Sequence, residues 1–160
     1  MAHLAASLLT PADAESLDAA DAVEVYSALV GAQEDRADSW HLCDLLLGPG
    51  HPLSAYAAND AHFSPGDPPG CAAWVQVRAA TLDPSALLAA LKADHYYSST
   101  GPEIHAIAAR DGKLTVRCSP ASKVLITGCV PGAHVAVGDA LTECSLPLSR
   151  FEEAPISASR

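Results

Sequence analysis

The stretch Leu53-Ser54-Ala55-Tyr56-Ala57-Ala58-Asn59-Asp60-Ala61-His62 runs an apolar segment straight into a carboxylate and an imidazole. Taken as a buried strand, Leu53 to Ala58 delivers Asp60 and His62 at its C-terminal end. Both then point to one side, because side chains along a strand alternate with period two. An oxygen and a nitrogen donor converging at a strand terminus suit a divalent ion of borderline softness such as zinc, manganese or iron. Strand C-termini are also where α/β barrels and open α/β sheets carry their chemistry. The bland reading of the same residues is a loop aspartate capping a turn beside a solvated histidine.

Upstream, Thr10-Pro11-Ala12-Asp13 combines a hydroxyl N-cap, a proline at the first helical position and a first-turn carboxylate, and predicts a short helix to about Leu17. Ala22-Val23-Glu24-Val25-Tyr26 reads as a strand, and the polar residues from Gly31 to Ser39 as a loop. Trp40 to Leu47 reads as a helix with Trp40, Cys43, Leu46 and Leu47 on one face, stopped by Gly48-Pro49-Gly50. Helix, strand, helix, strand is the alternation of a largely parallel sheet.

Downstream, Ser64 to Gly70 is a proline- and glycine-rich loop. Ala73 to Arg78 alternates as a strand, and Asp83-Pro84 opens a helix to Ala93 with Leu87, Leu88 and Leu91 on one face. Tyr96 to Pro102 reads as a turn at the helix exit. The character then changes. Ile104 to Ile107 and Leu114 to Cys118 flank Asp111-Gly112, a hairpin signal. Val124 to Ile126, Val135 to Val137 and Leu141 to Leu146 continue as short strands. The expected organisation is α/β over residues 1–102, an antiparallel β appendage over 103–150, and a loose tail over 151–160.

At 160 residues the chain is one domain or part of one, and nearly half of it is hydrophobic. A net charge of −10 with nine scattered basic residues excludes nucleic acid and anionic membrane as main partners. No apolar run approaches the roughly 20 residues that span a bilayer, and the N-terminal segment lacks a basic region, so the expectation is a cytoplasmic protein. Five cysteines at irregular spacing, without a C-x-x-C pair, predict neither a disulfide framework nor a zinc knuckle.

The order of Ala2-His3, Ala22-Val23-Glu24-Val25-Tyr26, Asn59-Asp60-Ala61-His62-Phe63, Trp74-Val75-Gln76-Val77, the turn from Tyr96 to Ile104 and Cys118-Ser119-Pro120 resembles the polymerase-and-histidinol-phosphatase (PHP) domain proteins, metal-dependent phosphoesterases. The resemblance runs from about His3 to Arg150. It implies the C-terminal part of a distorted, seven-stranded β/α barrel followed by the β appendage. It also implies a divalent-metal cofactor (zinc, manganese or iron), a small phosphorylated substrate and hydrolysis by metal-activated water. Carried over by motif, Asp60, His62 and His3 are the metal ligands, with Leu4 where the family has proline after the histidine. Ser27 stands where the family has asparagine, and Asn59 where it has a first aspartate. The family's N-terminal ligands have no counterpart here. The implied half-barrel therefore leaves sheet edges uncovered and calls for a homodimer or a missing N-terminal half.

Set beside this phosphoesterase is a non-catalytic remnant or interaction module with at most weak metal binding. Glu24 either points into the site or is satisfied by a neighbouring backbone amide, and His3 is either a ligand or a frayed terminal residue. Ser98, Ser99 and Thr100 offer hydroxyls to a phosphate or to their own backbone. His105 reads as surface or packing, and His41, His51, His95 and His134 as exposed. A serine hydrolase lacks its nucleophile elbow, and no glycine-rich phosphate loop is present.

Overall fold

A computed structural model describes residues 1–10, 12, 13, 16, 20–47, 53–128 and 132–151. The chain divides after Gly101 into two units. In the first, β1 (Ala22–Ser27) and β2 (Ser54–Ala58) lie parallel, with Val23 opposite Ala55, Glu24 opposite Tyr56 and a bulge between Glu24 and Tyr26. Parallel neighbours need a crossover. It is supplied by α1 (Ala28–Glu34) and α2 (Trp40–Leu47).

The loop expected from Gly31 thus begins only after Glu34. Ser27 caps α1 by accepting the Val30 N–H at 3.4 Å, and Ala28, Leu29 and Val30 are buried. That apolar first turn outweighs the polar residues after it. In α2 the predicted face is only partly inward. Cys43 and Leu46 pack with Leu4, Val23 and Val25 in the core, whereas Trp40 is 49% exposed. The side chain of Leu47 lies outside the described residues.

The far edge of β1 is partly covered. Glu24 N–H donates to the Met1 carbonyl (2.7 Å), Ser27 N–H to Ala37 (3.0 Å) and Ser39 N–H to Val25 (3.0 Å). Part of the backbone along that edge of β1 is thereby paired within the unit.

β3 (Trp74–Val77) and β4 (Tyr96–Ser99) pair antiparallel, Trp74 opposite Ser99 and Val77 opposite Tyr96. Between them runs α3 (Pro84–Lys92), capped by the Asp83 carboxylate, which accepts the Ser85 and Ala86 N–H groups. The expected turn from Tyr96 therefore starts later, at Thr100. Tyr-Tyr-Ser-Ser gains cross-strand pairs opposite β3 that a turn would forgo. Among the described residues, parallel pairing is confined to β1 and β2. Of the first predicted helix, Thr10 and Asp13 are seen capping each other: Asp13 N–H donates to Thr10 Oγ1 (3.2 Å) and Thr10 N–H to Asp13 Oδ2 (2.9 Å). Much of the rest lies outside the described residues.

The second unit is a meander of β5 (Ile104–Arg110), β6 (Lys113–Ile126) and β7 (His134–Pro147) in that spatial order. Asp111 (φ 51°) and Gly112 (φ 69°) both adopt left-handed backbone, the requirement of a type I′ hairpin turn. The short strands expected beyond Cys118 are fused into two long ones. Register shifts between Arg117 and Lys123 absorb Pro120, which a regular ladder would reject. The loose tail also starts later than expected. Ser149–Phe151 forms a 3₁₀ turn whose buried Phe151 ring meets His134 edge-on at 5.8 Å; residues 152–160 lie outside the described set. Among the described residues the architecture is mixed α/β without a closed barrel, and no helix is long and apolar enough to cross a membrane.

Candidate functional site

Three segments meet at the C-terminal end of the β1–β2 pair. Met1 to His3 lies along β1, tied by the Glu24 N–H to Met1 bond and by the His3 N–H, which donates to Glu24 Oε2 at 2.6 Å. His3 is therefore anchored rather than frayed. Its carbonyl accepts the Ser7 N–H at 2.7 Å.

Around the His3 ring, Nδ1 stands 3.3 Å from Glu24 Oε2 and 3.5 Å from Asp60 Oδ2. His62 Nε2 lies 3.5 Å from Asp60 Oδ1. Asp60 thus joins the two imidazoles, one through each carboxylate oxygen. Glu24 serves both roles considered for it, accepting a backbone amide and facing the imidazole. It is 3% exposed, and a carboxylate so far from water requires such partners.

Asp60 and His62 do share a side, but strand alternation is not the cause. β2 ends at Ala58, and Asp60 adopts left-handed backbone with φ 54°. Aspartate tolerates that region better than most residues. The turn is held from both sides of Asn59. Its carbonyl accepts the Leu29 N–H (3.3 Å) and its side-chain oxygen the Ala72 N–H (2.6 Å). His3 is left-handed as well, at φ 50°.

Behind the cluster stands Tyr56, whose hydroxyl donates to the Met1 carbonyl at 3.4 Å. Burial raises its pKa, and Glu24, Tyr96 and Asp60 add to the rise, so the phenol stays protonated well past neutral pH. Both carboxylates thus lie within electrostatic reach of one ring.

His3 Nδ1 is a buried nitrogen without an aligned hydrogen bond, although two carboxylate oxygens flank it. Donors that share a first-row divalent ion at ~2.1 Å are spaced about 3.0–3.4 Å apart, close to the 3.3 and 3.5 Å seen here. In donor type, and in the spacing around His3 Nδ1 alone, the residues suit such an ion. Among the described residues, however, no group of three or more His, Cys, Asp or Glu side chains is placed so that it could hold one.

Other candidates stay apart. Ser98 Oγ accepts the Ala57 N–H (2.8 Å) and Ser99 Oγ the Gly101 N–H (2.9 Å), so these hydroxyls serve the backbone. His105 is exposed on β5, 4.0 Å from Glu103. His95 and His134 are not the exposed residues expected: both are half-buried, His134 against Phe151, while His41 is exposed and His51 lies outside the described residues. Tyr56 carries no motif of its own in the sequence; its place in the β2 alternation with Ser54 and Ala58 is the only local signal of its position. No protein-family model, curated protein or solved structure matches the chain.

Proposed function

We propose that His3, Glu24, Asp60 and His62 hold a divalent cation in a phosphoester hydrolase of the PHP type, residues 1–101 forming part of its barrel. The observation that supports this most is the pair of carboxylates, Glu24 and Asp60, that flank the buried His3 Nδ1 from separate segments, with His62 joined to the cluster through the other oxygen of Asp60. Three of these four residues occupy the positions that match the family's ligand motifs. The departure at Ser27 is accommodated, since Ser27 caps α1 and serine and asparagine are comparable N-caps.

A bound divalent ion supplies charge neutralisation of phosphoryl oxygens and a water of lowered pKa. The chain's part is placement. Glu24 fixes His3 through its amide and sets a carboxylate beside the ring, while Asp60 bridges His3 and His62. A small phosphorylated ester is the substrate class this reading implies.

The incomplete gathering of ligands favours a second reading, in which one ion is held loosely and no hydrolysis follows. Metal content and p-nitrophenyl phosphate turnover of the purified chain, beside an Asp60→Asn/His62→Ala double variant, separate the two. Stoichiometric metal and turnover, both lost in the variant, are expected for the hydrolase. Metal without turnover selects the second reading, and a folded wild type with neither overturns both.

A further inference from the structure

At the opposite, N-terminal end of the same two strands lies a groove of about 580 Å³, lined by Asp21 and Ala22 at the start of β1, Ser54 at the start of β2, and residues of β3, α3 and β4. That volume is within the range of small-ligand sites, about 300–1,000 Å³. Its apolar wall is Val75, Leu88 and Leu91, and the two leucines are part of the predicted α3 face that does not enter the core. Leu88 remains 55% exposed.

The polar groups of the groove are asymmetric in charge. Ser54 Oγ is hydrogen-bonded to Asp94 Oδ1. Lys92, the cation of the lining, faces Asp21 at 3.9 Å, which leaves the Asp94 carboxylate uncompensated by any basic side chain of the lining. Tyr56 and Tyr96 close the remaining wall. Burial foremost raises the pKa of both phenols; Glu24, Tyr96 and Asp60 add to the rise at Tyr56, and at Tyr96 the Ser54 contact opposes it while Asp94 adds. Glu24 and Asp60 add negative potential behind Tyr56. Such a groove repels phosphate and carboxylate groups. It suits a cation that meets a carboxylate, aromatic faces and leucines together.

We propose that this groove binds a small organic amine, its ammonium group against Asp94 and the Tyr56 and Tyr96 rings, its apolar body over Leu88 and Leu91. The site is separate from the imidazole–carboxylate cluster and stands whether or not that cluster holds metal.

Calorimetric titration of the full chain with benzylamine, benzyl alcohol and benzoate tests it. Saturable binding of benzylamine is expected, with the alcohol and the benzoate weaker by about tenfold or more. Asp94→Asn keeps an αL-tolerant side chain at φ 56° and is expected to weaken benzylamine by a similar factor while the chain's metal content is unchanged. Leu88→Arg, at an exposed position, places a competing cation on the wall and is expected to abolish binding with the circular dichroism spectrum intact. Equal affinity for the alcohol, no saturation in the wild type, or undiminished binding in folded Asp94→Asn or Leu88→Arg protein overturns the proposal.

Discussion

Among the described residues, all four buried polar side chains, Glu24, Ser27, Ser39 and Ser99, lie in residues 1–101, whereas residues 102–151 bury Val116, Cys118, Leu146 and Phe151. The first unit also holds the largest fully buried side chains among the described residues: Leu4, Leu46, Val23, Val25 and Cys43. In the second, polar pairs stay in water: Thr115 and Ser145 share a 2.7 Å hydrogen bond across β6 and β7, and Arg117 meets Glu143 at 3.7 Å. The contrast shows where a desolvated reactive group can exist. A buried carboxylate needs a dry surrounding and fixed partners, and the crossover-connected parallel pair supplies both. A meander with solvated polar faces supplies neither.

The contrast is broken or sharpened by substitutions in each unit. The largest expected effect is Leu46→Ala, a cavity in the first core costing about 3 kcal/mol in urea-unfolding free energy. The matching change at Val137, 76% exposed in β7, is expected to stay within about 0.5 kcal/mol. Equal losses at both positions would erase the distinction between the units. Next comes Glu24→Ala, which leaves the His3 amide without its acceptor. A loss of about 2 kcal/mol and of any bound metal is expected, read by unfolding and elemental analysis.

Smaller, and set by pH, is the effect of Cys43. Burial foremost, with Asp44 adding, lifts its thiol from 9.0 to about 11 in the folded chain. Between those values the unfolded chain releases the proton and the folded chain keeps it. Stability therefore falls as pH rises from about 9 to about 11, and Cys43→Ala should flatten that part of the pH profile. The smallest effect belongs to Arg117→Ala. Its exposed pair with Glu143 should contribute less than about 0.5 kcal/mol, and less still in high salt.

Much of the first unit was legible in local pattern. Apolar alternation located β1, β2 and β3, and Asp83-Pro84 located the start of α3. The hairpin at Asp111-Gly112 was equally plain, because its chemistry is confined to two residues. What escaped was decided by tertiary context. α1 hides under polar residues because its buried side is one turn of Ala28, Leu29 and Val30. The fused β6 and β7 depend on a register shift that no window of sequence reveals. At the site, the spacing of Asp60 and His62 suggested their proximity, but that proximity rests on the left-handed turn at Asp60 rather than on strand alternation. That Glu24 reaches the same imidazole depends on Met1 to His3 lying beside β1, a contact across 21 residues of chain.

The left-handed backbone at Asp60 also bears on how this chain can change over generations. At φ 54° the position tolerates aspartate, asparagine and glycine far better than branched residues. An aspartate-to-asparagine exchange there preserves the turn and removes the charge that links the two imidazoles. Such an exchange would abolish the carboxylate on which the proposed cation site depends while leaving the backbone of the turn unaltered.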